Sequence, residues 1–132
     1  MYMLDTNAVI MGIRHPDWPI VSKLEKHVGM DLCISTVTLG ELEYGIKKSS
    51  NPINTRYGVY QFLAGIRVLS FDAEAARHFG DIYCDLEMRH MRISDRDTMI
   101  AAHARSLGFT VITNNTREFS RVQGLKIEDW SV

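Results

Sequence analysis

Short apolar runs alternate along this chain with longer segments in which apolar residues recur every three or four positions. The short runs predict β-strands, and the longer periodic segments predict amphipathic helices. The predicted strands are residues 2–4, 32–35, 66–69, 109–113 and 125–127. Strands that alternate with helices in this way favour an α/β sandwich around a mostly parallel central sheet.

Capping residues, glycines and prolines set the limits of the predicted helices. Thr6-Asn7 is predicted as a turn and cap before an apolar run over residues 8–13. Asp72 caps the longest helix, and Ser94 caps another whose end is marked by Gly108. The predicted helices span residues 20–29, 36–48, 53–65, 73–90 and 95–107, with one helical turn over 119–122.

Length and composition indicate one globular domain over residues 1–132. Apolar residues make up 45% of the chain and charged residues 23%, and no apolar run is long enough to span a membrane. Asp5 interrupts the apolar N-terminus, no basic residue precedes it, and no small-residue cleavage site follows. We therefore expect no signal peptide and a cytoplasmic location.

The two cysteines and the net charge limit the kinds of site that we expect in this chain. Cys33 and Cys84 lie in apolar stretches without a second pair at metal-binding spacing, so we expect two small core residues rather than a disulfide scaffold or a zinc site. A formal net charge of -1 predicts no broad attraction to nucleic acid. A protein of this charge that handles RNA or DNA needs a local basic patch or a metal ion.

Three acidic residues occupy positions where a carboxylate is costly unless it has a partner. Asp5 follows the first strand, and Glu41 and Asp97 each share the apolar stripe of a predicted helix. If the first strand is central, both helices can bring these acids to its carboxyl edge, where ligands bind in open α/β sheets. Magnesium suits such an all-oxygen site, because it takes one or two carboxylates and keeps several waters.

The stripe that contains Glu41 indicates that its carboxylate points toward a buried side. The other members of that stripe are Val37, Leu42, Tyr44 and Gly45. Capping is the simpler explanation for two of the acids, because Thr38-x-x-Glu41 and Ser94-x-x-Asp97 both match the capping-box pattern. The capping explanation is weaker for Glu41, since its helix already begins near Thr36.

The polar end of the strand over residues 109–113 should lie on the same sheet edge as Asp5. This placement brings Thr113, Asn115 and Glu118 to the rim of the site. An ordinary asparagine turn followed by a solvated glutamate explains the same residues without any function.

In four segments the sequence resembles the PIN-domain ribonucleases, and within them the VapC toxins of bacterial toxin-antitoxin modules. The segments are YMLDTN at 2–7, ISTVTLGELEYG at 34–45, DTMIAAHA at 97–104 and TNNTREF at 113–119. Their order and spacing run from the first residues to 128–130, so the resemblance covers nearly the whole chain. It implies a PIN-like three-layer α/β/α sandwich.

The resemblance also implies roles for individual residues. Asp5, Glu41 and Asp97 match the three principal acids of the family, with Asp5 and Asp97 as direct ligands of Mg²⁺, for which Mn²⁺ can substitute. Glu118 matches a catalytic position often held by aspartate, and its longer side chain would reach a metal through water. Asp95 lies where relatives often carry less charge. The residues expected to hydrogen-bond around the metal ligands are Thr6, Asn7, Thr113 and Asn115.

The implied activity is that of a magnesium-dependent endoribonuclease that cleaves initiator tRNA in its anticodon stem-loop and so inhibits translation. A VapB-type antitoxin would cover the cleft with its C-terminal segment. A homodimer is also expected, with residues 59–66 and 79–86 offering apolar surface. Candidate phosphate contacts are Lys47, Lys48, Arg56, Arg89, Arg92, Arg96, Arg117 and Arg121. His103 is interpreted as structural.

Two other functional classes remain open at this point. The same acidic cleft could serve a metal-dependent DNA nuclease or phosphatase. It could also belong to a catalytically silent binding module whose acids attract a basic peptide.

Overall fold

The computed structural model describes residues 1–132 and contains five strands and seven helices. The strands are β1 (Tyr2–Leu4), β2 (Leu32–Ser35), β3 (Arg67–Leu69), β4 (Thr110–Ile112) and β5 (Lys126–Glu128). The helices are α1 (Thr6–Arg14), α2 (Pro19–Glu25), α3 (Thr36–Lys48), α4 (Pro52–Leu63), α5 (Ala73–Met88), α6 (Asp95–Leu107) and α7 (Thr116–Phe119).

The five strands form one sheet in the order β3-β2-β1-β4-β5, and every neighbouring pair is parallel. β1 is therefore the central strand, and all five carboxyl ends lie at the same edge. The predicted α/β fold class is confirmed, and the sheet is entirely rather than mostly parallel.

Helices cover both faces of the sheet and bury the central strands β1, β2 and β4 on two sides, whereas the edge strands β3 and β5 are largely exposed. In β1, Leu4 packs into a core shared with α1 to α4, whereas the preceding residue, Met3, packs into a second core shared with α5 and α6. This alternation produces the three layers. It also explains why the central strands are continuous apolar runs in the sequence.

The chain enters α1 without the predicted turn. The Asp5 side chain caps the helix by accepting a hydrogen bond from the Ala8 N–H at 2.8 Å, so Thr6 and Asn7 already form the first helical turn. The acid at the strand end therefore has the capping role that the sequence pattern assigned to Thr6-Asn7.

Several other boundaries differ from the prediction, three of them as follows. α2 ends at Glu25, because the following residues form a turn, and Val28 is exposed rather than on the apolar stripe. β4 begins at Thr110, since the N–H of Phe109 still bonds to Ala104 across the left-handed Gly108 that ends α6. The single helical turn lies over 116–119, not 119–122.

One of the two cysteine predictions is wrong. Cys33 is buried in β2, where desolvation raises the pKa of its thiol to about 11. Cys84 is exposed, because it lies on the outer side of α5 while Ile82 and Leu86 point inward.

None of the seven helices combines the length and apolar character that crossing a lipid bilayer requires.

Candidate active site

Asp5 is a buried carboxylate at the carboxyl end of the central strand, with 2% of its surface exposed. Desolvation raises its pKa from 3.8 to about 6. Hydrogen bonds from the Thr113 hydroxyl and the Ala8 N–H lower the pKa, and the charges of Asp97 and Glu41 raise it further. Asp5 forms no ion pair with any basic side chain.

Glu41 lies in the middle of α3, and both of its carboxylate oxygens have a neighbour. Oε1 accepts the Thr6 hydroxyl hydrogen bond at 2.6 Å, and Oε2 is 3.4 Å from Nη1 of Arg96. Ser35 caps α3, so Glu41 lies beyond the first turn. The capping-box explanation for Thr38-x-x-Glu41 therefore does not hold.

Asp97 is in the first turn of α6, where its N–H donates to the Ser94 hydroxyl at 3.1 Å. No hydrogen bond returns from the Ser94 N–H to the Asp97 carboxylate, so the capping box is only half formed. Burial raises the pKa of Asp97, a hydrogen bond with Ser94 lowers it, and the charges of Glu41 and Glu118 raise it.

These elements enclose an open cleft of about 370 Å³ beside the central strand. Asp5 is buried behind the cleft and contributes no surface to it, whereas Glu41 and Asp97 both line it. The other lining residues are Thr6, Asn7, Ile10, Tyr44, Gly45, Ser94 and Arg96. The lining of the cleft therefore combines acids, hydroxyls and an amide with an exposed arginine and an exposed tyrosine.

Tyr44 is not in the core, although the sequence pattern placed it on a buried stripe with Glu41. Its side chain is 62% exposed, and neighbouring Gly45 is also at the surface. This face of α3 opens to the cleft, because only Leu42 and Ile46 of the same half-helix turn toward the core.

The loop after β4 lies on the same sheet edge as Asp5. Thr113 is buried, hydrogen-bonds to Asp5, and accepts the Asn115 N–H at 2.9 Å. Glu118 is half-buried on α7 and close enough to raise the pKa of Asp97. None of Thr113, Asn115 and Glu118 lines the cleft itself.

Asp95 faces solvent. Its side chain is 63% exposed and is 3.6 Å from Arg92, one turn earlier. Asp95 is therefore a suitable exposed control for substitutions of Asp97, two residues away.

Four of the eight basic residues that were candidates for phosphate binding, Arg92 among them, are already engaged elsewhere. Arg56 pairs with Glu43 at 2.9 Å, and Arg89 pairs with Asp85 at 2.6 Å. Arg121 donates to backbone carbonyls of the loop before α6. Arg96 is the member of this set that lines the cleft.

His103 is buried and structural, as its position on α6 indicated. Its Nδ1 is 2.8 Å from the Ser35 hydroxyl, and desolvation lowers the pKa of its ring. The bond joins α6, which carries Asp97, to the start of α3, which carries Glu41.

The residues fit a divalent cation. The donors are all oxygens, and Asp5 is a buried carboxylate without a cationic partner, which is costly unless a positive charge is bound. No three His, Cys, Asp or Glu side chains are arranged to ligate one ion directly. A divalent cation held here by one or two carboxylates would keep several of its waters.

A larger groove, of about 600 Å³, lies on α4 and is lined by Arg56, Tyr57, Tyr60, Gln61 and Ala64. It contains no carboxylate, so we assign the chemistry to the smaller acidic cleft.

The chain is similar to known proteins in both sequence and fold. A sequence model of the family described as PIN domain matches residues 2–125. The chain is 44% identical over 130 residues to the tRNA(fMet)-specific endonuclease VapC of Shigella flexneri, covering 98% of each. It is 40% identical to Ribonuclease VapC2 of Haemophilus influenzae over 98% of this chain and 97% of that protein. The DNA-bound VapBC structure from Salmonella typhimurium matches with a TM-score of 0.93 and 40% identity, over 98% of this chain and 97% of that one.

Proposed function

We propose a function from one premise: this chain belongs to the PIN-domain family, and within it to the VapC ribonucleases. The chain is a single PIN domain that acts as the toxin of a VapBC toxin-antitoxin module. Its activity is endonucleolytic cleavage of initiator tRNA in the anticodon stem-loop, which inhibits translation in the cytoplasm. The observation that carries the proposal is the buried Asp5 carboxylate, close to Asp97 and Glu41 and without a cationic partner.

Magnesium is the proposed cofactor, held by Asp5 and Asp97. When bound, it supplies Lewis-acid chemistry, polarising the phosphate and acidifying a water. Glu41 orients the attacking water and accepts its proton, and the Thr6 hydroxyl fixes Glu41 for this role. Thr113 holds Asp5, and Asn115 ties the following loop to Thr113.

Asn7 and Glu118 have the remaining roles. Asn7 lines the cleft and offers an amide to the substrate phosphate or to ordered water. Glu118 acts on Asp97 through its charge and reaches the ion through water.

The partner is a VapB-type antitoxin, as in the VapBC structure that this chain resembles. Its C-terminal segment covers the cleft and places a basic side chain against the acids. The structure already accommodates a guanidinium at this place, because Arg96 lies 3.4 Å from Glu41. We further propose a homodimer. Residues 59–66 and 79–86 do not supply its apolar surface, because Val59, Leu63, Ile82 and Leu86 are buried in the core.

The test is cleavage of a defined tRNA pool by the wild type, Asp97→Asn and Asp95→Asn. We expect Asp97→Asn to lose at least a hundredfold in rate and Asp95→Asn to cleave normally, because Asp95 is exposed and paired with Arg92. Sequenced RNA ends should map to the anticodon stem-loop of initiator tRNA.

Three results would contradict the proposal. Turnover by the wild type in excess EDTA would show that cleavage does not require a metal. Cuts scattered over mRNA would show that initiator tRNA is not the specific target. Preferential hydrolysis of single-stranded DNA or a small phosphoester in parallel reactions assigns the cleft to a different substrate.

A further inference from the structure

An exposed aromatic ring stands beside the acids of the cleft. Tyr44 follows Glu41 by one helical turn, is 62% exposed, and makes no hydrogen bond through its hydroxyl. Together with Glu41 and Arg96 it lines both the acidic cleft and an adjoining depression of about 490 Å³. These three residues are the ones that the two linings share. A large ring left in solvent here is available to a ligand that enters either hollow.

Two cations accompany the ring. Nζ of Lys48 lies 5.8 Å from the centroid of Tyr44. The Arg96 side chain is 65% exposed, and its one partner in the protein is Glu41 at 3.4 Å. An ion pair this exposed contributes little to stability. Most of the guanidinium donors of Arg96 therefore remain free for an anion at the edge of the cleft.

At two glycine positions, this face of α3 has no side chain that projects from the helix surface. Gly40 and Gly45 lie inside the helix, where glycine costs stability relative to alanine, yet an added Cβ at either position would meet nothing within 4 Å. Packing within the chain therefore does not require glycine at these positions. Both line the hollows beside Tyr44, where the missing side chains leave room for a ligand to approach the ring.

We propose that Tyr44, Arg96 and Lys48 form a binding ridge for single-stranded RNA next to the scissile phosphate. The Tyr44 ring stacks on an unpaired base, and the two cations contact neighbouring phosphates. Unpaired bases stacked on aromatic side chains, with Lys or Arg on the backbone, are the common means of recognising single-stranded RNA. The inference rests on the proposed ribonuclease function, and it names the residues that hold the substrate.

The first test is fluorescence anisotropy with a labelled RNA hairpin that has an unpaired loop, in EDTA, together with steady-state cleavage in Mg²⁺. Tyr44→Ala should weaken binding about tenfold, equivalent to about 1.4 kcal/mol, and raise KM more than it lowers kcat. Tyr44→Phe should behave as the wild type, because the ring and not the hydroxyl makes the contact.

The salt dependence of RNA affinity distinguishes the contribution of the charged side chains from that of the Tyr44 ring. Arg96→Ala should reduce the slope of log affinity against log salt by about 0.7 for each phosphate that the arginine neutralises, whereas Tyr44→Ala should leave the slope unchanged. Tyr57→Ala and Arg77→Ala are matched controls elsewhere on the surface. Tyr57 is 69% exposed, and the Arg77 side chain is 66% exposed. Both controls should bind and cleave as the wild type.

Substitution of two glycines distinguishes a loss of RNA binding from a loss of stability. Gly45→Ala should unfold at or above the wild-type Tm and still lose RNA affinity, because the added methyl group occupies the approach to Tyr44. Gly80→Ala, in α5 and equally free of neighbours, should keep both properties.

Failure of this inference is distinct from failure of the proposed function. The ridge is wrong if Tyr44→Ala changes RNA affinity and kcat/KM no more than Tyr57→Ala does. It is also wrong if Tyr44→Ala loses a VapB-type peptide but keeps RNA, since the surface then belongs to the antitoxin. If the wild type cleaves no RNA but binds it in a Tyr44-dependent manner, the ribonuclease assignment fails and the ridge stands.

Discussion

The electrostatic cost of the site falls mainly on one side chain, the carboxylate of Asp5. It caps α1, accepts a hydrogen bond from Thr113, and is still almost fully withdrawn from water without a cation beside it. Two hydrogen bonds lower its pKa, but desolvation outweighs them, and the folded value is about 6. Near neutral pH the folded chain therefore carries a buried negative charge that makes folding less favourable.

Replacing this residue with asparagine should stabilise the metal-free protein while abolishing cleavage. Between pH 3.8 and about 6 the folded state binds more protons than the unfolded chain, so the free energy of unfolding falls as pH rises through that window. The full difference is at most about 3 kcal/mol. Asp5→Asn keeps the helix cap without the charge. Urea unfolding in EDTA should show the variant more stable at pH 8, with the gap closing near pH 4. A gap that does not vary with pH would contradict this explanation.

Single residues were predictable where their position in an element decides their environment. Asp5 after a short apolar strand and Asp97 behind a serine cap both follow from the sequence. Tyr44 did not, because the helical period cannot tell a core stripe from the wall of a cleft. The contact between Glu41 and Arg96 joins residues 55 positions apart, and no local pattern encodes it.

At the scale of elements, the relative placement of α3 and α6 decides whether Glu41 and Asp97 face the same cleft. One buried hydrogen bond, between Ser35 at the start of α3 and His103 on α6, ties the two helices together. Ser35 also accepts the Val37 N–H as the cap of α3. A single hydroxyl thus both begins one helix and fixes its neighbour.

Ser35→Ala should therefore cost more than the loss of a helix cap. Loss of the cap costs about 1 kcal/mol, and leaving buried His103 without a partner costs about 1–3 kcal/mol more. Ser94→Ala, which removes the exposed cap of α6, should cost only the first amount. Urea unfolding of both variants at pH 7.5 measures the difference. Equal losses would show that the bond to His103 contributes nothing.

The type and order of the helices and strands were predictable from the sequence, whereas their first and last residues were predicted less accurately. The three central strands were found because burial on both faces makes them continuously apolar, and the edge strands β3 and β5 were found from the apolar residues around Val68 and Ile127. The ends of α2 and α7 were misplaced, because apolar residues such as Val28 and Val122 continue the spacing beyond the last helical turn. Tertiary contacts, not local pattern, decide which of those residues are buried.

At the scale of the whole molecule, the strand order is what gathers the acids. β1 is central, so the segments after β1 and β4 and the helices α3 and α6 reach one edge of the sheet. Asp5, Glu41, Asp97 and Glu118 come from four distant parts of the chain. Burial is the main cause of the raised pKa of Asp5 and of Asp97, and the charges of neighbouring acids raise both further. Folding therefore assembles a repulsive cluster, and a bound cation should stabilise the whole domain.

Magnesium should accordingly raise the stability of the folded protein by mass action, by about 2.7 kcal/mol at a hundredfold excess over its Kd. Asp97→Asn should lose most of this gain, and Asp95→Asn should keep it, because Asp95 is exposed and paired with Arg92. The gain should be smaller at pH 5 than at pH 8, since the ion must displace the proton that Asp5 holds below about pH 6. Thermal unfolding with and without Mg²⁺ at both pH values measures it. An equal gain in wild type and Asp97→Asn would place the ion elsewhere on the molecule.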